Sequence, residues 1–168
     1  AALVIAIPPE RQGGEFRLLE RHQLRGLDFE QQAEFIKAIL GRYNCTYLAI
    51  DASGVGAGVY QLLAKSDALP GCSVVKVEYS LELKQQMVMK AQNVIRRGRL
   101  KFDSSWLDMV SAFVSIKKTV TASGRNMTFK AGRGGDDGHS DLAFATMQIL
   151  INEPLDGEIA SSSRLEMF

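Results

Sequence analysis

Between residues 29 and 77 the sequence alternates helical and extended patterns. Apolar residues recur at helical spacing over residues 29–40, and short apolar runs follow at residues 47–50 and 74–77. A further helix is predicted between these two runs, at about residues 58–64. Two strands connected through a helix pair in parallel, because the crossover returns the chain to the same end of the sheet. The alternation therefore predicts an α/β fold with parallel strand pairing.

The remaining segments extend this pattern. Extended patterns predict strands at residues 3–7, 16–22, 119–121 and 127–130, the last two forming a hairpin. Helical spacing predicts helices at residues 81–97 and 105–116, and another after Ser140 or Asp141, either of which would be its cap. This last helix is mostly apolar, so we expect it to be well buried. Residues 98–102 form either a short strand or a loop. The aromatic residues Phe102, Trp106 and Phe113 are spaced like core residues.

Composition is typical of a globular protein. Of the 168 residues, 46% are hydrophobic and 23% are charged. No apolar run approaches the roughly 20 residues of a membrane-spanning helix, and the first residues lack the basic flank of a signal peptide. Only Cys45 and Cys72 are present, too few for a disulfide framework or a cysteine-rich zinc site. We expect a soluble, intracellular chain with one domain over residues 1–151 and a polar, mobile tail over residues 152–168.

The net charge of +1 conceals an uneven distribution. Residues 81–133 carry 11 Lys and Arg against 3 Asp and Glu, and residues 134–168 carry 1 against 7. This pattern indicates either a polyanion-binding surface beside a carboxylate cluster or ordinary solvated helix faces. If the polyanion is DNA, the candidates for phosphate contacts are Lys84, Lys90, Arg96, Arg97, Lys117, Lys118, Arg125, Lys130 and Arg133.

Asp51 directly follows the apolar run at residues 47–50. A carboxylate at this position lies at the carboxyl edge of the sheet, where open α/β folds bind their ligands. A plainer interpretation is that Asp51 caps the next helix or orders the turn at residues 53–58. The glycines of this turn lack the Lys-Ser/Thr of a Walker loop and the full G-x-G-x-x-G spacing. We expect them instead to let the turn pass close to a phosphate or to a neighbouring strand.

A second acidic group, Asp136, Asp137 and Asp141, surrounds the start of the last predicted helix. Either the negative charge stabilises the N-terminus of this helix, or a divalent cation relieves the repulsion and binds phosphate oxygens. The metal interpretation requires Asp51 and Asp141 to meet across 90 positions of sequence. Two-metal sites predict a separation of roughly 4 to 8 Å between their carboxylates. His139 either binds a phosphate or orients a water, or it is a solvent-exposed loop residue.

The segments YLAIDASGVG (residues 47–56) and DGHSDLAFA (residues 137–145) together resemble the C-terminal nuclease domain of the large terminase subunit of tailed bacteriophages, in its P2-like branch. The resemblance covers nearly the whole chain. It implies a ribonuclease H-like mixed sheet flanked by helices. It also implies a hydrolase that cuts concatemeric double-stranded DNA with two divalent ions, Mg²⁺ or Mn²⁺. Asp51 and Asp141 match catalytic metal ligands of this family, and Asp137 is a reserve ligand.

The resemblance also bears on what surrounds this domain. The first acidic ligand of the family lies on its first strand, upstream of the strand that residues 1–7 resemble. We therefore expect a fragment whose first strand is truncated and which lacks that ligand. The implied partners are an ATPase domain, the small terminase subunit and the portal, with no membrane, in the cytoplasm of a bacterial host carrying the phage or prophage. Two alternatives remain: a non-catalytic DNA-clamp or docking module of the packaging motor, and a transposase or resolvase of the same fold.

Overall fold

The computed structural model describes residues 1–54, 56–66, 69–120, 127–131 and 139–153. In chain order the elements are β1 (Ala2–Ile7), β2 (Phe16–Gln23), α1 (Phe29–Leu40), β3 (Tyr47–Asp51), α2 (Gly56–Ala64), β4 (Ser73–Val77), α3 (Leu81–Arg96), β5 (Leu100–Lys101), α4 (Leu107–Val114), β6 (Ile116–Val120), β7 (Met127–Ala131) and α5 (His139–Ile149). They fall into two compact units, one of Ala1 and His22–Ser80, the other of Ala2–Arg21 and the residues from 81 onward. Among the described helices, none has the length and apolar character needed to span a bilayer.

The first unit is built on the strands β3 and β4, which pair in parallel as predicted. Tyr47 is level with Ser73, and Asp51 is level with Val77, so both strands end at the same edge. Helix α2 packs on both strands and on α1. Leu48 and Ile50 of β3 are buried beneath this layer.

Helix α1 begins and ends where local signals predict. The Asp28 side chain accepts a 2.8 Å hydrogen bond from the Gln31 N–H, and the Gln31 side chain accepts a 3.0 Å bond from the Asp28 N–H. This reciprocal capping box satisfies two backbone donors that the helix itself leaves unpaired. The apolar face of Ala33 and Ile36 is buried, which confirms an amphipathic helix packed on one side.

The second unit combines parallel and antiparallel strand pairs. Its three-stranded sheet has the order β1-β2-β5, and β2 pairs with β5 in parallel, with Phe16 opposite Leu100. Residues 98–102, for which the sequence allows a strand or a loop, therefore contain a two-residue strand, β5. Strands β6 and β7 form the predicted antiparallel hairpin. The helix predicted to reach residue 116 ends at Val114, because Ile116 already pairs with Ala131 in this hairpin.

Helix α5 is buried, as its apolar composition predicts. Leu142 and Met147 have at most 1% of their surface exposed, and Thr146 is fully buried. The Thr146 hydroxyl donates a 2.8 Å hydrogen bond to the Leu142 carbonyl, so its burial leaves no unpaired donor. The predicted cap is wrong, because α5 already begins at His139 and places Ser140 and Asp141 inside its first turn. An acidic side chain in the first turn stabilises the helix because its negative charge faces the positive end of the helix dipole, and not because it caps the helix.

The aromatic residues predicted to form core lie half-buried instead. Phe102 and Trp106 stack at a centroid distance of 6.3 Å, and the Arg21 guanidinium lies 4.5 Å from the centre of the Trp106 ring. Arg21 Nε also donates to both carboxylate oxygens of Asp108, at 2.8 and 2.9 Å. These rings therefore flank a partly exposed ion pair, and the polar partners keep them near the surface.

Packing of the second unit continues to Glu153. Its carboxylate forms a buried ion pair with Arg99, which also donates a 3.2 Å hydrogen bond to the Gly14 carbonyl. Residues 154–168 lie outside the described residues, so the mobile tail stays a prediction.

Candidate functional site

Asp51 is the last residue of β3 and lies half-exposed at the carboxyl edge of the β3–β4 pair. The parallel pairing continues one residue beyond it, because the Ala52 N–H donates a 2.8 Å hydrogen bond to the Val77 carbonyl. The main chain around the carboxylate is thus held by a neighbouring strand. Asp51 accordingly has the position that its sequence context predicts for a ligand-binding residue.

Ser53 fixes the orientation of this carboxylate. Its backbone N–H donates a 2.9 Å hydrogen bond to Asp51 Oδ1, and its hydroxyl oxygen accepts a 3.1 Å bond from the Tyr79 N–H in the segment after β4. Asp51 therefore orders the turn, one of the two plainer roles considered for it. The donor precedes α2, so this bond does not cap that helix. No described residue donates to Oδ2.

Gly56 allows the turn to approach the strand. A Cβ at this position would lie 1.7 Å from the Asp51 carbonyl oxygen, a distance that no side chain tolerates. Gly54 adopts φ +83°, in the left-handed region that favours glycine. At Gly58 the nearest atoms belong to the Phe29 ring, at 3.1 Å. The predicted close approach to a strand is confirmed at Gly56. Helix α2 starts two residues earlier than predicted, at Gly56.

Asp141 lies half-buried in the first turn of α5 and belongs to the second unit, while Asp51 belongs to the first. The approach of the two carboxylates stays a prediction. Asp136 and Asp137 lie outside the described residues. Among the residues that the structure describes, no group of three or more Asp, Glu, His or Cys side chains could hold a metal ion.

The chemistry of the candidate donors fits a hard divalent cation. Mg²⁺ and Mn²⁺ prefer carboxylate oxygens, and Mg²⁺ is usually held by only one or two carboxylates plus waters and substrate phosphates. Asp51 offers such an oxygen, since its Oδ2 accepts nothing from the described part of the chain. Its orientation is already set through Oδ1, so a cation would meet an ordered ligand.

The basic candidates differ in their surroundings. Arg96 at the end of α3 and Lys117 and Lys118 on β6 are exposed. Lys84 is half-buried 6.0 Å from the Phe144 ring, and the half-buried Lys90 donates to the Ile151 carbonyl. Arg97 is exposed just after α3, and Lys130 belongs to β7. Arg125 and Arg133 lie outside the described residues. The exposed members are the better placed for phosphate contacts, because their ammonium or guanidinium groups reach solvent.

Sequence reasoning missed Ser53 as part of this site. A serine two residues after an aspartate is typical of turns in which the aspartate accepts a backbone N–H, so a local signal was present. The second contact of Ser53 joins it to Tyr79 across 26 positions, and no local pattern encodes such a contact.

Residues 1–153 match the family model described as terminase RNaseH-like domain. The chain is similar to the "Terminase, ATPase subunit" of Escherichia phage P2, with 46% identity over 161 residues, which are 96% of this chain and 27% of that protein. It is also similar to the "Probable terminase, ATPase subunit" of Haemophilus phage HP1, with 39% identity over 145 residues, 86% of this chain and 23% of that protein. The chain thus spans about a quarter of the length of these curated relatives.

Solved structures of similar fold include the large terminase nuclease from thermophilic phage G20c. With bound cobalt, that protein matches at a TM-score of 0.60 and 18% identity, covering 89% of this chain and 79% of that chain. With bound magnesium, it matches at a TM-score of 0.60 and 22% identity, covering 88% of this chain and 80% of that chain. At such identities the likeness concerns the fold. Together with the family match, it confirms the predicted ribonuclease H-like mixed α/β architecture.

Proposed function

This chain belongs to the family of terminase RNase H-like domains, and we propose on that basis that it is the endonuclease domain of a large terminase subunit. Its reaction is the hydrolysis of phosphodiester bonds in concatemeric double-stranded DNA, with two divalent ions, Mg²⁺ or Mn²⁺. The observation that carries the proposal is the Asp51 carboxylate at the carboxyl end of β3, ordered through Oδ1 and open at Oδ2. This is the arrangement expected of an ordered carboxylate ligand.

Asp51 and Asp141 would hold the metal ions, with Asp137 as a further ligand. When bound, such ions activate a water and stabilise the leaving 3′ oxygen. The part played by the chain is to present charged oxygens in a fixed orientation. The Ser53 N–H does so for Asp51, and Ser53 in turn is bound to the segment after β4.

The proposed DNA contacts come from the basic block of residues 81–133. Its exposed members provide phosphate contacts that carry no base information, so cutting should be weakly sequence-selective. Lys117 and Lys118 are side chains of the β6–β7 hairpin that reach solvent within the described residues. If the hairpin lines the DNA path, we expect Arg125, Lys130 and Arg133 to extend the same contact.

The wider assembly is proposed from the relatives. The phage P2 and HP1 proteins are named as ATPase subunits and are about four times as long as the segment they share with this chain. We propose that this chain works beside an ATPase domain, with the small terminase subunit and the portal as partners. The site of action would be the cytoplasm of the bacterial host.

The experiment measures metal binding on this chain and DNA cleavage by the complete subunit. Wild type, Asp51→Asn, Asp141→Asn and the control Glu30→Gln, an exposed residue of α1, are incubated with plasmid DNA in Mg²⁺, Mn²⁺ or chelator. Cleavage should need the metal and both aspartates, and it should survive Glu30→Gln. Calorimetric titration of this chain should show divalent ions binding to wild type and weaker binding to each Asp variant.

The alternatives give different outcomes in the same experiment. A DNA clamp binds the plasmid equally well in metal and in chelator and leaves it intact. A transposase or resolvase of this fold produces rejoined or inserted strands instead of free ends. Either result would replace the nuclease proposal.

A further inference from the structure

The sulfur atoms of Cys45 and Cys72 lie 3.4 Å apart, and these are the only cysteines in the chain. Both residues are half-exposed. Cys72 immediately precedes β4, and Cys45 lies two residues before β3. The pair therefore sits at the N-terminal end of the β3–β4 strands, whereas Asp51 ends β3 at the other edge. The proposed nuclease chemistry makes no use of these thiols.

The backbone keeps the two sulfurs together. The Ser73 N–H donates a 2.9 Å hydrogen bond to the Thr46 carbonyl, and the parallel register begins beside it with Tyr47 opposite Ser73. Each cysteine is thus directly bonded to a residue that takes part in this hydrogen bond. The strand pair therefore keeps the main chains of the two cysteines close to each other, whichever rotamers the side chains adopt.

The hydrogen bonds distinguish the two thiols. Cys45 Sγ donates to the Tyr47 carbonyl at 3.4 Å. Because a thiol carries one proton, the sulfur–sulfur contact must then be a bond from Cys72 to Cys45. Burial, followed by this hydrogen bond and the neighbouring Cys45 thiol, raises the pKa of Cys72 to about 12. Cys72 therefore keeps its proton near neutral pH, which leaves Cys45 as the thiol that reacts first.

We propose that Cys45 and Cys72 form a reversible intramolecular disulfide by exchange with a low-molecular-weight disulfide such as oxidised glutathione. The Cys45 thiolate attacks one sulfur of the reagent, which forms a mixed disulfide and releases one reagent thiolate. Cys72 then gives up its proton and attacks the Cys45 sulfur, which releases the second reagent thiolate. Two electrons pass from the protein to the reagent, and the two protons end on the two released thiols.

The geometry requires a small adjustment. A disulfide bond is about 2.05 Å long, so the sulfurs must approach by about 1.4 Å, which side-chain rotation supplies. The new bond closes the segment from residue 45 to residue 72 and joins the starts of β3 and β4. This constrains the unfolded chain, and the melting temperature should rise by about 5 to 10 °C. Asp51 lies six residues along the chain from Cys45, roughly 20 Å in an extended strand, so divalent-ion binding should be unchanged.

The test treats the folded 168-residue chain with oxidised glutathione, blocks the remaining thiols, and digests it with trypsin. Cleavage after Lys65 separates the two cysteines into peptides 43–65 and 66–76. The proposal expects these peptides to be joined and the protein to stay a monomer lighter by two hydrogens. The joined peptides should separate on addition of dithiothreitol, with return of the original melting temperature.

Two single variants serve as matched controls. Cys72→Ser should accept one glutathione at Cys45, whereas Cys45→Ser should accept it much more slowly, because burial still raises the pKa of Cys72. Neither variant should show a rise in melting temperature, because neither can close the bond. Wild-type protein that carries a glutathione on each cysteine, or that forms disulfide-linked dimers, would overturn the proposal. Neither result would bear on metal binding or DNA cleavage, so the disulfide proposal is tested independently of the nuclease proposal.

Discussion

The backbone N–H of Ser53 donates a 2.9 Å hydrogen bond to Oδ1 of Asp51, while no described residue donates to Oδ2. The same carboxylate thus orders a turn with one oxygen, while its other oxygen accepts no hydrogen bond from the described residues. A structural role and a metal-binding role are therefore compatible at this residue. They depend on different properties of the side chain, since the turn needs an acceptor and a cation needs negative charge.

Asp51→Asn should separate these two properties. The asparagine carbonyl oxygen can still accept the Ser53 N–H, so the melting temperature in chelator should stay within a few degrees of wild type. The rise in melting temperature on adding Mg²⁺ or Mn²⁺ should shrink or vanish, because a neutral amide is a poor ligand for a hard cation. Differential scanning fluorimetry with and without metal measures both effects.

Asp51→Ala is the companion variant, which loses the acceptor as well as the charge. It should lower the free energy of unfolding in chelator by about 1 to 2 kcal/mol relative to Asp51→Asn, because the Ser53 N–H loses its partner. Equal stability of the two variants, with a full metal response in Asp51→Asn, would leave Asp51 no role in metal binding.

Gly56→Ala should destabilise the chain strongly. Its Cβ would lie 1.7 Å from the Asp51 carbonyl oxygen, so the turn or the strand end must move. We expect a loss of about 2 to 4 kcal/mol in the free energy of unfolding, measured by urea denaturation. Gly58→Ala in the same helix is the control, because its Cβ meets only the Phe29 ring at 3.1 Å, and its effect should stay within about 1 kcal/mol. Similar losses for both would contradict the close approach.

Glu153→Ala should also be costly, because the side chains of Arg99 and Glu153 are only 10% and 6% exposed. Removing the carboxylate leaves a buried guanidinium without its counter-charge, at a cost of about 3 to 5 kcal/mol. Glu15→Ala is the control, since Glu15 is 48% exposed and pairs loosely with Arg17 and Lys101 at 3.9 and 3.6 Å. Its removal should cost less than about 1 kcal/mol. Urea denaturation of both variants compares them, and equal costs would mean that the buried pair is not formed in solution.

Lys117→Ala with Lys118→Ala should weaken duplex DNA binding if β6 lies on the DNA path. Each lost phosphate contact lowers the slope of log K against log salt by about 0.9, so the double variant should lose about 1.8. The affinity should fall equally for unrelated sequences. The control is Arg11→Ala with Lys65→Ala, which changes two exposed residues outside the basic block. It has the same net charge as the Lys117 and Lys118 double variant, and it should leave the slope unchanged. Salt titrations that give one slope for all three proteins would place the DNA path elsewhere.

Alkylation of Cys72 should respond to pH as expected for a pKa of about 12. Only the thiolate reacts, so the rate at peptide 66–76 should rise about tenfold per pH unit up to pH 10, without levelling off near 9. Cys45→Ala removes the hydrogen bond and the neighbouring thiol, leaving burial as the cause of the raised pKa, so Cys72 should react faster at pH 9. Mass spectrometry of the iodoacetamide-labelled peptide measures both rates. A plateau near pH 9 in wild type would contradict the raised pKa of Cys72, and equal rates in wild type and Cys45→Ala would contradict the contribution of the Cys45 hydrogen bond.

The sequence by itself determined those features that depend only on residues close together in the chain. The capping box of Asp28 and Gln31 lies within four residues. The apolar runs of β3 and β4 predict strands without reference to any other part of the chain. Asp51 at the end of such a run was recognisable as a ligand candidate for the same reason. The burial of α5 followed from its composition alone. These features depend on backbone preference and periodicity, which a window of a few residues contains.

Tertiary structure decided the contacts between distant positions. Arg99 meets Glu153 across 54 positions, Ser53 meets Tyr79 across 26, and β5 becomes a strand because β2 lies beside it. The predicted aromatic core was wrong for a related reason, since the Trp106 ring packs against Arg21 of β2, which also pairs with Asp108. Such pairings depend on how the elements pack, because an ion pair or a ladder forms only where packing brings its two halves together. A local pattern encodes which groups need partners, and the packed chain alone determines which partners they find.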